Sequence, residues 1–455
     1  MPAPAVPEQR FGEATSSGED TGCDHYRMPV TRRPPLVADL TLVTAGAMTA
    51  NVAGYLLQLL AGRWLGASGY SEFASLLAVQ LLCAVPALAL QNVVAREFVR
   101  GAEVAALRAL QWRCAAIVAV VAAALIPVVT AALEVGALAC AGALLAAPVQ
   151  VLLTGEQGIL QGDRRFRALA VVLGAAGIAR VLPAVVVLAL GAGTAPALWA
   201  AAAGLTVAAA LARVLAGDPV PPLEPDRAEP ADHAEQSGPI ADPAGIPRPA
   251  GRSVGVLPVL RAAQVQAALM AMSSADLIVV RMVLESDEAG RYALGTMATK
   301  IAFWLPAAVG VVLYPRMAQP AHSARAIRDA LAVLSAIGVC AVLGAALAAP
   351  LASVFAGADY APIEGLLWVF ALHGAILAVL QGAVLSAIAV DRTAPAALTW
   401  LGLAVEVALM ALFARSVPAL IGTAVSVAAV TTVFAALVVL RTGDRAVADS
   451  RLPIG

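Results

Sequence analysis

The chain has 455 residues, 61% hydrophobic and 13% charged, with a mean hydropathy of +0.85. Soluble domains carry about 25% charged residues, so the composition excludes an ordinary soluble fold and predicts an all-α polytopic membrane protein. The formal net charge of −1 says little about partners by itself, and no nucleic-acid partner is expected. Cys23, Cys83, Cys114, Cys140 and Cys340 show no paired spacing, and the four histidines are scattered. No metal, cofactor or disulfide framework is therefore expected.

Residues 1–35 are polar and Pro-rich and read as a disordered tail. Runs of about 20 apolar residues predict twelve spans. Six lie at 36–61, 68–95, 110–133, 135–160, 166–191 and 194–216. Six more follow at 256–283, 289–315, 326–350, 362–390, 393–414 and 417–440. Between the sixth and seventh, residues 217–253 hold nine prolines, seven acids and three arginines. Such a composition cannot bury a core and predicts a flexible linker. The expected organisation is a six-helix bundle at 36–216, a second at 254–441, and a tail at 442–455.

The charges set the topology. Of 28 arginines and one lysine, 23 fall on the side shared by both termini. The other side holds four, Arg63, Arg281, Arg291 and Arg415; Arg180 and Lys300 lie inside spans. By the positive-inside rule both termini are expected in the cytoplasm, with the chain in the cytoplasmic membrane. The stretch Arg96–Arg113 predicts a short interfacial helix before the third span.

The chain repeats itself. Gly69 and Tyr70 answer to Gly290 and Tyr292, Pro86 to Pro306, and Arg96 to Arg316. Leu160-Gln-Gly162 recurs as Leu380-Gln-Gly382, and Pro196-Ala-Leu198 as Pro418-Ala-Leu420, all near an offset of 220. Two halves with an even number of spans each are parallel repeats. They predict a pseudo-two-fold axis along the membrane normal, with substrate handled between the halves. The matched prolines predict kinks at equivalent depths.

Within the first span Thr41, Thr44, Met48, Asn51, Tyr55 and Gln58 recur at steps of three and four. On a helix they form one stripe, which in hydrocarbon must face protein or water. A similar line, Gln266, Ser273 and Asp276, lies on the seventh span. On the eighth, Tyr292, Thr296, Lys300 and Phe303 share a face.

The segment Gly54-Tyr-Leu-Leu-Gln-Leu-Leu-Ala-Gly-Arg-Trp-Leu-Gly-Ala-Ser-Gly-Tyr70 resembles the opening helix pair of bacterial Wzx-like oligosaccharide flippases. These are the polysaccharide-export members of the multidrug/oligosaccharidyl-lipid/polysaccharide (MOP) superfamily. Asp276-Leu-Ile-Val-Val, Glu288-Ala-Gly-Arg-Tyr292, Leu305-Pro306 and Tyr314-Pro-Arg316 resemble the start of the second half, and Gln161-Gly-Asp-Arg-Arg-Phe166 also fits. The resemblance covers residues 36–440. It implies a V-shaped, MATE-like pair of bundles that alternates between inward- and outward-open states. It also implies a lipid-linked substrate, an undecaprenyl-pyrophosphate saccharide. The long central linker belongs to no motif of the family.

No Walker loop, Asp-x-Asp motif or Ser/His/Asp set is present, so no catalytic residues are expected. Ionisable groups at membrane depth are costly and mark functional sites by default. Asn51, Tyr55, Gln58, Arg180, Gln266, Ser273, Thr296 and Lys300 are the expected cavity residues. Arg180 and Lys300 suit an anionic head group, and Asp276 and Glu406 suit ion or proton coupling. The competing reading for the charges is structural pairing between helices. Two other functions compete: a cation-coupled small-molecule antiporter of the same superfamily, and a membrane glycosyltransferase or polymerase. The latter needs large outer loops, and those around Glu134 and Ala192–Thr194 are short.

Overall fold

A computed structural model describes residues 36–217, 256–305, 323–388 and 394–449. The tail at 1–35, nearly all of the expected linker, Pro306 and Arg316 lie outside those residues, as does the side chain of Gln266. The described residues are almost wholly helical and contain no strand. The first half comprises α1 (Leu36–Cys83), α2 (Val85–Val99), α3 (Val104–Leu133), α4 (Ala137–Leu144), α5 (Ala146–Gly162), α6 (Phe166–Ala189) and α7 (Thr194–Ala216). The second comprises α8 (Val256–Met272), α9 (Ala275–Val283), α10 (Ser286–Trp304) and α11 (Ser323–Ala348). It continues with α12 (Leu351–Ala356), a 3-10 segment (Ala358–Leu366), α13 (Leu367–Ile388), α14 (Ala394–Phe413) and α15 (Val417–Asp449).

Among the described residues eight helical stretches are long and apolar enough to cross a membrane, with Ala397–Phe413 a shorter apolar helix. The chain is a multi-pass membrane protein. Its first stretch, Thr41–Val99, has 59 residues. At 1.5 Å per residue an unbroken helix of that length would run about 90 Å, against a hydrocarbon core of about 30 Å. The break is Gly66, at φ 68° and ψ 177°, a backbone state open to glycine and costly for other residues. A second interruption at Ala84 precedes Pro86, as the proline predicts.

Three expectations are corrected. Arg96–Arg113 is not a separate interfacial helix. Arg96 closes α2, a turn containing Gly101 follows, and Arg108 and Arg113 lie within the first turns of α3. The apolar run 256–283 is broken at Ser273–Ser274. Finally, α15 continues to Asp449, into the stretch read as a tail.

The same pairings recur in both halves. α1 packs on α6, α6 on α7, α2 on α5, α5 on α7 and α3 on α5. In the second half α8 packs on α14, α14 on α15, α10 on α13, α13 on α15 and α11 on α13. Lipid supplies no hydrophobic drive for such contacts, so close backbone approach has to hold them. Gly204 of α7 lies against the Ala179 carbonyl of α6, and Gly374 of α13 against that of Thr299 in α10; a β-carbon would clash at either.

We call the arginine-rich end inner and the other outer. α1 and α2 meet α8, α9 and α10 of the second half. An outer apolar cluster includes Leu57, Phe73, Leu277, Tyr292 and Tyr360, and an inner one Leu90, Leu110, Leu269, Met272 and Phe303. Each draws on both halves, so the limbs of the expected V are closed on one another here.

Candidate functional site

A polar layer separates the two apolar clusters, and five helices contribute to it. On α1, Gln80 follows Val79 of the outer cluster. On α6, Arg180 lies between Val172 of the inner and Val181 of the outer cluster. Asp276 falls between Met272 and Leu277, Lys300 between Met297 and Phe303, and Glu406 just before Val407 and Met410. Five helices thus place a polar group between members of the two clusters.

The layer is linked internally. Arg180 Nη2 donates to Gln80 Oε1 at 3.5 Å. Lys300 is in coulombic reach of both Asp276 and Arg180. Asp276 is buried; one oxygen accepts the Leu277 N–H at 2.8 Å and the other the Tyr292 hydroxyl at 3.1 Å. The first bond exists because the helix breaks at Ser273–Ser274, leaving Asp276 in the first turn of α9 beside unpaired amides. A carboxylate there also meets the positive end of the helix dipole. Glu406 is only 1% exposed, and neither of its oxygens has a hydrogen-bond partner among the described residues. Its field reaches Asp276 and Tyr292.

The expected residues divide. Arg180, Lys300, Asp276 and Glu406, distant in sequence, come together. Asn51, Tyr55 and Gln58 are half-buried on α1, and a β-carbon at the neighbouring Gly54 would meet nothing. Gly62, further along that stripe, faces Tyr360 and Leu294, so the stripe turns toward the second half. Ser273 and Thr296 are buried, and their hydroxyls bond the Met270 and Ala293 carbonyls of their own helices. They shape helices and do not present hydroxyls to open space. Among the described residues no group of three or more His, Cys, Asp or Glu could hold a metal.

Sequence reasoning missed Gln80, and it missed Glu156. Glu156, on α5, lies 3.3 Å from Arg108 of α3 and 3.9 Å from Arg213 of α7, at the inner end of the first half. A lone acid inside the apolar run 146–162 was the available signal.

No family model matches the chain, and no curated protein matches it. Among solved structures it is similar to an inward-facing multidrug resistance MATE family transporter of the MOP superfamily. The identity is 14% over 86% of this chain and 94% of that one, with a TM-score of 0.61. An outward-facing MATE transporter matches at 14% identity, 90% and 96% coverage and a TM-score of 0.60. The lipid II flippase MurJ, in an inward closed conformation, matches at 12% identity, 89% and 87% coverage and 0.65. The chain therefore shares the fold of the MATE and MurJ transporters.

Proposed function

We propose that the chain is an alternating-access transporter, not an enzyme, moving a lipid-linked saccharide across the cytoplasmic membrane. The observation that carries this reading is the placing of Arg180 from one half, bonded to Gln80, within coulombic reach of Lys300 from the other. Two cations brought together between apolar clusters repel one another, and desolvation strengthens that repulsion. An anion of two charges, such as a pyrophosphate head group, relieves it. Arg180 offers a planar fork and Lys300 a point charge. Asp276 competes with the anion for Lys300, so a proton or metal cation on this carboxylate strengthens head-group binding. By linkage the anion strengthens cation binding equally. Asn51, Tyr55 and Gln58 of the opposing stripe supply neutral donors and acceptors suited to sugar hydroxyls. The MurJ likeness, a flippase of lipid II, agrees with a substrate of this class.

A cation-coupled small-molecule antiporter is the second reading. Glu406, buried without a hydrogen-bond partner among the described residues, and the MATE likenesses favour it. Proteoliposomes carrying a fluorescent undecaprenyl-pyrophosphate saccharide separate the two. Wild type is expected to flip the lipid, and Lys300→Ala and Arg180→Ala each to slow flipping about tenfold or more, the effect of one lost charge-assisted bond. Undiminished flipping in both variants sinks the head-group site. No flipping by wild type, with dye efflux driven by a cation gradient, selects the antiporter.

A further inference from the structure

The outer face carries a contact arrangement that the polar layer does not explain. Arg281, at the last turn of α9, reaches into the first half. Its Nε donates to the Leu133 carbonyl at 3.1 Å and its Nη2 to the Glu134 carbonyl at 3.4 Å. Its Nη1 donates to Ser71 Oγ at 3.0 Å and, in its own half, to Ser286 Oγ at 2.9 Å. Arg63, at the outer end of the first arm of α1, reaches the opposite way. Its Nη1 donates to the Val354 and Phe355 carbonyls at 3.2 and 3.3 Å.

These contacts are copies of one another. The arginines are 218 residues apart and their paired carbonyl acceptors 221, on either side of the offset near 220 that relates the halves. Each set of acceptors closes a helix. Leu133 ends α3, and Glu134 is its left-handed cap; Val354 and Phe355 lie in the last turn of α12, which Gly357 caps at φ 118°. A guanidinium at such an end meets unpaired carbonyls and the negative pole of the helix dipole. Each acceptor turn is also fixed from its own half. Glu72 accepts the Gly136 N–H at 2.8 Å, and Arg291 donates to the Asp359 carbonyl at 2.9 Å.

We propose that Arg63 and Arg281 are a pseudo-two-fold pair of latches that hold the outer side of the seam shut, so that outward opening requires both to let go. Each bundle contributes one cation and one helix end, so separating the bundles breaks both at once. The seam closes tightly between them. Gly290 of α10 lies against the Ala67 carbonyl at the Gly66 bend, and the Tyr360 hydroxyl donates to the Gly62 carbonyl at 3.2 Å. The latches are unequal. Arg281 has four acceptors and is half-buried, whereas Arg63 has two and is exposed, so solvent weakens it more. The inference rests on the alternating-access reading, and its test separates the two.

Spin labels are placed in a cysteine-free full-length background reconstituted in nanodiscs. An outer pair at Leu138 and Leu351 and an inner pair at Val214 and Leu257, all exposed positions, report the two sides of the seam. Arg63→Ala/Arg281→Ala is expected to raise the ratio of open to closed outer distances by about tenfold or more, the shift given by one lost charge-assisted hydrogen bond. The inner pair is expected to shift the opposite way, and R281A alone to act more strongly than R63A. A wild type that samples both outer distances, in proportions the double variant leaves unchanged, overturns the latch and leaves alternating access standing. A single fixed distance at both pairs in every variant, with no lipid flipping by wild type, overturns both. Should the double variant not fold, R63A carries the test from an exposed position, and an unmoved outer pair again overturns the latch.

Discussion

Two buried carboxylates, Glu156 in the first half and Glu406 in the second, stand on membrane helices and have opposite surroundings. Glu156 is held by Arg108, with Arg213 further off, and Arg108 also donates to the Gly217 carbonyl at 2.6 Å. Arg165 donates to the neighbouring Ala216 carbonyl at 3.1 Å. Around Glu156, three helices and the end of α7 are tied into one rigid inner corner. Glu406 has only the fields of Asp276 and Tyr292 near it, and neither oxygen meets a donor among the described residues. A partnered buried charge reads as architecture, and an unpartnered one as a site awaiting a ligand. On the proposed coupling role of Glu406, the contrast distinguishes a structural carboxylate from a functional one where composition cannot.

Four substitutions bear on the contrast, in decreasing order of effect. Glu156→Gln strips a buried arginine of its counter-charge, which costs roughly 3 kcal/mol. Thermal unfolding in detergent should show the loss, with transport per folded molecule retained. Glu406→Gln is expected to reverse that pattern. The protein should unfold no earlier than wild type, while cation-coupled transport falls by about tenfold or more, the rate equivalent of 1.4 kcal/mol. If E406Q unfolds as readily as E156Q, the distinction between the two carboxylates collapses. Tyr292→Phe removes one hydrogen bond from Asp276 and should cost about 1 kcal/mol, read as a small fall in unfolding temperature. Arg213→Ala breaks a long contact to a half-exposed guanidinium. It should change stability by about 0.5 kcal/mol or less, and a larger loss in the same unfolding assay would mean that Glu156 depends on Arg213 as well as Arg108.

Much of this was legible in the sequence, for identifiable reasons. Arg180, Lys300, Asp276 and Glu406 stood out because charge inside an apolar run is expensive, and all four do converge. The repeat was legible through motifs such as Leu160-Gln-Gly162 and Leu380-Gln-Gly382, and the five recurring helix pairings match it. The break at Ser273–Ser274 was not, because no glycine or proline marks it and serine is tolerated in helices. Glu156 escaped because its helix was read for the repeat motif four residues on. Arg63 and Arg281 were read only as topological charges. Their acceptors are backbone carbonyls, which every residue has and no sequence pattern reveals.

The break in the seventh span has a mechanical consequence. Because α8 stops at Met272, the nine residues of α9 form a separate stiff rod, with Asp276 near one end and Arg281 near the other. At 1.5 Å per residue the two are about 7.5 Å apart along it, too short a distance for the helix to absorb a twist. On the proposed coupling role of Asp276, a turn at its end of the rod would be delivered to the guanidinium at the outer seam. Loading the proposed coupling site and releasing the proposed latch would then be motions of a single lever pivoting on two serines. If so, the effects of Asp276→Asn and Arg281→Ala on the outer spin-label distance will not add; strict additivity would show the rod to be slack.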